Sequence, residues 1–162
     1  MHKRVIESVA LTFFLAAILG IPAWSQGPSA LKSRMSAPKD ADIDANVSIA
    51  SLLAKQEQSA WSSNKGGALE GYVVQVERDP DGDVVMFLAA NRGETNTTNW
   101  VVVEVPPGWQ KADAALSEKH CRSLLGKHVK VTGWLFYDTH PAEDPRGTPW
   151  ELHPVTRIAV MN

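Results

Sequence analysis

Between Ala68 and Asn91 the chain reads "ALEGYVVQVERDPDGDVVMFLAAN", and this stretch limits the fold more than any other. Two runs rich in β-branched residues flank "DPDGD", where Asp-Pro and Asp-Gly supply turn chemistry. The segment therefore predicts an antiparallel hairpin with strands near residues 69–78 and 83–90. After the polar loop "NRGETNTTN", "WVVVEV" predicts a third strand, which Pro106 and Pro107 stop. "KADAALSEKHCRSLLG" then predicts a helix over residues 111–126, capped by Asp113 or Ser117 and ended by Gly126. In "KHVKVTGWLFYD", Val129, Val131 and Leu135 alternate with Lys130, Thr132, Trp134 and Phe136, which gives a fourth strand. A loop over residues 139–149 leads to a fifth, from Trp150 to Met161.

The chain upstream divides into three parts. Lys3 and Arg4 precede the apolar run "VALTFFLAAILGIPA", and Ala23 and Ser25 occupy the positions of a signal-peptidase site. Residues 1–25 therefore predict a secretory signal peptide cleaved after Ser25, leaving no stable membrane span. Residues 26–45 hold glycine, prolines, serines and aspartates with few large apolar groups, and predict a flexible tether. "NVSIASLLAKQEQSAW" sets Ile49, Leu52, Leu53, Gln56 and Ala60 at helical spacing behind Asn46 as N-cap. It predicts an amphipathic helix that packs on the single domain spanning residues 46–162. The location expected is outside the cytoplasm, periplasmic or secreted.

The predicted order is helix, three strands, helix, two strands, so the fold class is mainly β. Over Leu69 to Val160 that order resembles the oligonucleotide/oligosaccharide-binding (OB) barrel, with "LEGYVVQVERDPDGDVVMFL" and "LLGKHVKVTGWLF" carrying the likeness. The resemblance implies a small five-stranded barrel with a helix between strands 3 and 4, here with an extra N-terminal helix. The ending "RGTPWELHPVTRIAV" also resembles the C-terminus of a set of exported bacterial proteins that close on "RGTxWE(I/L)HPVTxIEV" and have no assigned activity. Ala159 departs from the acidic residue of that pattern.

Composition excludes some function classes. Loss of residues 1–25 would remove Lys3, Arg4 and Glu7, leaving 14 basic and 17 acidic residues at net −3. A nucleic-acid binder usually shows the opposite balance. The excess of Lys111, Lys119, Arg122, Lys127 and Lys130 over Asp113 and Glu118 is local, and reads as a solvated face. Cys121 is the single cysteine, so no intrachain disulfide forms; beside Leu124 and Leu125 it reads as a small buried hydrophobe. H-E-x-x-H, G-x-S-x-G, Gly-rich phosphate loops and C-x-x-C are all missing, so no motif supports an enzyme or a cofactor. Asp81, Asp83, Arg92 and Glu94 only loosely resemble a staphylococcal-type nuclease set. Asp81 and Asp83 around Gly82 lack the spacing of a calcium loop and read as turn residues.

Two groups of residues carry chemistry. Strand alternation puts Trp150, Leu152, Ile158 and Val160 on one face and Glu151, His153, Val155 and Arg157 on the other. Glu151 and His153 therefore share a face, where a carboxylate can raise the imidazole pKa, fix its tautomer or share a metal with it. The reading taken is a clamp on the loop over residues 139–149, with ligand contact second. A metal or catalytic site is third, and would need further donors from His140, Glu143 or Asp144 in the preceding loop, or from His120 and His128. Pro154 predicts an edge position or a bulge. Trp134 and Phe136, with Tyr72 near them, form the second group: rings on an OB face stack on bases or sugars, and the alternative is packing against the helix over residues 47–61. The ligand face expected comprises Trp134, Phe136, Arg146, Glu151 and His153. Its ligand is an oligosaccharide, a nucleic-acid fragment or another envelope protein. A metal-dependent hydrolase using His140, Glu151 and His153, and a purely structural accessory domain, are the alternatives.

Overall fold

In the computed structural model, which describes residues 28–140 and 146–162, five strands close into a barrel. The expected signal peptide lies outside those residues. The strands are β1 (Gly66–Arg78), β2 (Val84–Ala89), β3 (Val101–Val105), β4 (His128–Tyr137) and β5 (Trp150–Val160), in the spatial order β1-β2-β3-β5-β4. All neighbours are antiparallel except β3 and β5, which meet in parallel at Val103 and Leu152. The predicted mainly β barrel, with helix between its third and fourth strands, is the fold. The hairpin turn is closed by Gly82 N–H donating to Asp79 O at 2.9 Å.

One alternation register runs through the interior. Leu69, Val73, Val84, Met86, Leu88, Val101, Val103, Val105, Val129, Val131, Leu135 and Leu152 share a cluster, with Cys121 buried beside them. Each fully buried Val or Leu contributes about 1.5–3 kcal/mol, so the twelve aliphatic side chains supply most of the drive for closure.

The helices are shorter than the sequence predicts. The first, α2 (Ile49–Ala54), is capped by Ser48 rather than Asn46: Ser48 and Ser51 exchange side-chain and backbone hydrogen bonds at 3.1 and 2.8 Å. Its residues Ile49 and Leu52 join the interior cluster. The helix predicted over residues 111–126 is broken into α3 (Pro107–Ala112), a 3-10 turn and α4 (Glu118–Ser123). Asp113 accepts from Ala115 N–H and Ser117 from His120 N–H, so each candidate cap starts a new turn instead of one long helix. Gly126 takes φ +75°, as a helix-ending glycine should.

Residues 28–45, expected as a tether, lie along the barrel. After α1 (Pro28–Lys32), Arg34 O accepts from Trp109 Nε1 at 2.8 Å and Ser36 O from Trp134 Nε1 at 2.7 Å. Ile43 then bridges to Gly66. The composition argument missed this because barrel indoles, not apolar groups of the segment itself, hold its backbone. No helix among the described residues is long and apolar enough to cross a membrane.

Candidate functional site

The outer face of β3 and β5 is where this barrel departs from an apolar lattice. Trp150 and Leu152 point inward, so Glu151 and His153 point out; on β3, Val103 and Val105 point inward, so Glu104 points out. The parallel contact of Val103 with Leu152 brings these outward neighbours together. Val84 pairs with Val105, which sets Asp83 at the same corner. Beyond Pro154 the alternation changes: Gly133 pairs with Val155 and Leu135 with Leu152, so β5 carries an extra residue there. The bulge returns Val155 to the interior, which corrects its assignment to the face of Glu151 and His153.

Glu151, His153, Glu104 and Asp83 are between 0 and 5% exposed. His153 Nδ1 lies 2.7 Å from Glu104 Oε2 and is hydrogen-bonded to Glu151 Oε1 at 3.1 Å. Its Nε2 stands 3.1 Å from Asp83 Oδ2, an ion-pair distance. Arg146 Nη1 donates to Glu151 Oε2 at 2.6 Å and Nη2 to Asp138 Oδ2 at 2.9 Å, with the guanidinium buried. Glu151 thus links the imidazole to a guanidinium that ties the two ends of the 139–149 loop together.

Burial opposes charge on the imidazole, but the three carboxylates Asp83, Glu104 and Glu151 outweigh it and hold His153 well above its usual range. Burial and the neighbouring Glu151 raise Glu104. Lys32 feels the opposite balance: burial pulls it down, while Glu151, Glu104, Asp138 and Asp83 together raise it. Four carboxylates therefore gather one imidazole, one guanidinium and one ammonium.

The aromatic pair lies alongside. Phe136 is tilted against His153 with centroids 5.9 Å apart, and Lys32 Nζ stands 5.1 Å above the Phe136 ring. Arg34 lies 4.3 Å from the Trp134 ring centroid. Both rings are buried, and residues 32–36 contact them; α2, which the sequence offered as their cover, packs on β1 and β3 instead. Tyr72 is away from this pair. It pairs with His128 at the other end of β4 and stacks on that ring at 4.7 Å.

Of the expected site residues, Trp134, Phe136, Arg146, Glu151 and His153 fall in one region. His140 is exposed, with Nδ1 2.9 Å from Thr139 Oγ1. Asp83, Glu104, Lys32 and Asp138 are the members that sequence reasoning missed. A signal existed for Glu104, the one charge inside "VVVEV"; Asp83 was absorbed into the turn. Part of the basic excess is neutralised, since Arg122 and Arg78 both pair with Glu118. Clefts of about 370 and 740 Å³ lie elsewhere, one beside Val74 and Trp100, the other between Pro38 and Arg157.

No protein family matches this chain. No curated protein matches it either. Among solved structures it is similar to an OBody bound to hen egg-white lysozyme, at 16% identity and a TM-score of 0.46 over 67% of this chain and 96% of that one. It is similar to an asparaginyl-tRNA synthetase from Entamoeba histolytica at 14% identity and a TM-score of 0.43, over 65% of this chain and 22% of that one. An aspartyl-tRNA synthetase from the same organism matches at 19% identity and a TM-score of 0.40, over 59% and 18%.

Proposed function

We propose that the protein is a small exported OB-like binding protein of the cell envelope that holds a ligand on the outer face of β3, β5 and β4 without chemical transformation. The observation that carries this reading is the seating of residues 32–36, which place an ammonium on Phe136 and a guanidinium on Trp134 beside four carboxylates. A face that accepts those groups from its own chain suits an extended cationic segment from a partner, such as an envelope protein. It repels a phosphate backbone. Export rests on the residue pattern of positions 1–25, and N-terminal sequencing of periplasmic material should begin at Gln26.

The binding test uses the secreted chain and its double variant Lys32→Glu, Arg34→Glu, whose strap is weakened on its own face. Titration with a Lys/Arg-rich peptide, read by tryptophan fluorescence, should give tighter binding by the double variant than by wild type. Trp134→Ala should abolish the signal. If neither the wild type nor the double variant binds the peptide in low salt, the reading is wrong.

A further inference from the structure

The strap over residues 32–36 is read by the barrel position by position. Lys32 ends α1 with its ammonium 5.1 Å above the Phe136 ring, within the field of Glu151, Glu104, Asp138 and Asp83. Ser33 points away: it is exposed, and its hydroxyl donates back to Ser29 O at 2.8 Å. Arg34 uses more than its charge. Its guanidinium lies 4.3 Å from the Trp134 ring centroid, while Nη1 and Nη2 both donate to Ser63 O at 3.3 Å. A planar fork can stack on an indole and reach one carbonyl with two nitrogens, which a lysine ammonium cannot do. Met35 then rests on Gly108 of α3, where a Cβ would come within 2.8 Å of the thioether sulfur.

Two indoles hold the backbone as well. Trp109 Nε1 donates to Arg34 O at 2.8 Å and Trp134 Nε1 to Ser36 O at 2.7 Å. This hold is polar and replaceable, because Met35 is 54% exposed and Ser33 and Ser36 are exposed, so these three side chains bury little apolar surface. Ring–cation contacts and indole hydrogen bonds do not depend on which chain supplies the cation or the carbonyl.

We propose that the face recognises a linear motif in a peptide segment of its partner, Lys-x-Arg followed by an unbranched apolar residue, and that residues 32–36 are the internal copy of that motif which the partner displaces. This rests on the binding reading above and narrows it. A cationic segment with a different spacing, or with lysine where Arg34 stands, fits less well.

The test takes the full secreted chain with Lys32→Glu and Arg34→Glu, titrated in low salt with three fluorescein-labelled peptides and followed by anisotropy. The first peptide has the sequence of residues 28–40. The second carries Arg34→Lys, and the third has the first one's composition with Lys32 and Arg34 brought side by side. The first should bind at one peptide per chain, and the other two at least about fivefold more weakly. Adding Trp109→Phe to the protein keeps a ring but removes one donor, and should weaken the first peptide about three- to tenfold. Equal affinity for all three peptides overturns the motif and leaves the cationic-segment reading standing. Failure of all three to bind overturns both. Undiminished binding by folded Trp109→Phe protein overturns the backbone register given to the bound segment. Should the double variant fail to fold, wild type decides by the same ranking, with every affinity lowered by its own strap.

Discussion

Arg146 is the residue on which the charge balance of the outer face turns. Glu151 is fully buried, and its Oε2 receives the guanidinium at 2.6 Å. Arg146→Met keeps the length of the stem but removes that counter-charge, and breaking one side of a buried ion pair costs about 3–5 kcal/mol. Urea unfolding should show a loss of that size, with Arg146→Lys recovering only part because an ammonium cannot make both contacts in the same fork. A midpoint unchanged by Arg146→Met would mean that Glu151 is neutral or hydrated in the native protein. Cys121 illustrates the opposite case of a residue with chemistry it does not use. Burial pushes its thiol up to about 11, so the thiolate is scarce at neutral pH. Ellman's reagent at pH 8 should leave the folded protein unlabelled and modify one thiol per chain in denaturant.

At the scale of elements, "RGT" is the hinge by which the last loop enters β5. Gly147 N–H donates to Trp100 O at 2.9 Å, and a Cβ at this position would stand against the carbonyl oxygen of Thr98. The loop from Asn91 to Asn99 and the approach to β5 are thus in backbone contact, a relation that tolerates only hydrogen at that α-carbon. Gly147→Ala should cost about 1–3 kcal/mol, typical of overpacking, and lower the unfolding temperature. Wild-type stability in that variant would place the two backbones farther apart than they stand here. The strap over residues 32–36 is a comparable case. The element is short, yet two indole donors on α3 and β4 fix its carbonyls.

For the whole molecule, closure depends on one parallel contact. Leu152 is fully buried and faces Val103 where β5 joins β3. Leu152→Ala should cost about 2–5 kcal/mol. Because the interior is one continuous cluster, the loss should appear as a shift of a single cooperative transition rather than as a separate early phase. Two resolved transitions by circular dichroism and tryptophan fluorescence would argue instead that β4 and β5 unfold as an independent unit.

The Asp-Pro-Asp-Gly turn and the β-branched runs were enough by themselves to place the five strands along the chain, and the alternation in "VKVTGWLF" and "WELH" gave the inward side of β4 and of the start of β5, though not of Val155 beyond the bulge. Alternation is a local property that survives without knowledge of partners. It also placed Glu151 and His153 on one face. What surrounds His153 was decided by tertiary structure alone: Glu104 arrives through a parallel pairing about fifty residues distant in sequence, Asp83 through the neighbouring hairpin, and Lys32 from a segment that composition described as a tether. Helix lengths were misjudged for a similar reason, since Ser48, Asp113 and Ser117 compete as caps and only the packed chain selects among them. Local pattern fixes which way a side chain points, whereas the charges it meets depend on strand register and long-range closure, which no single segment encodes.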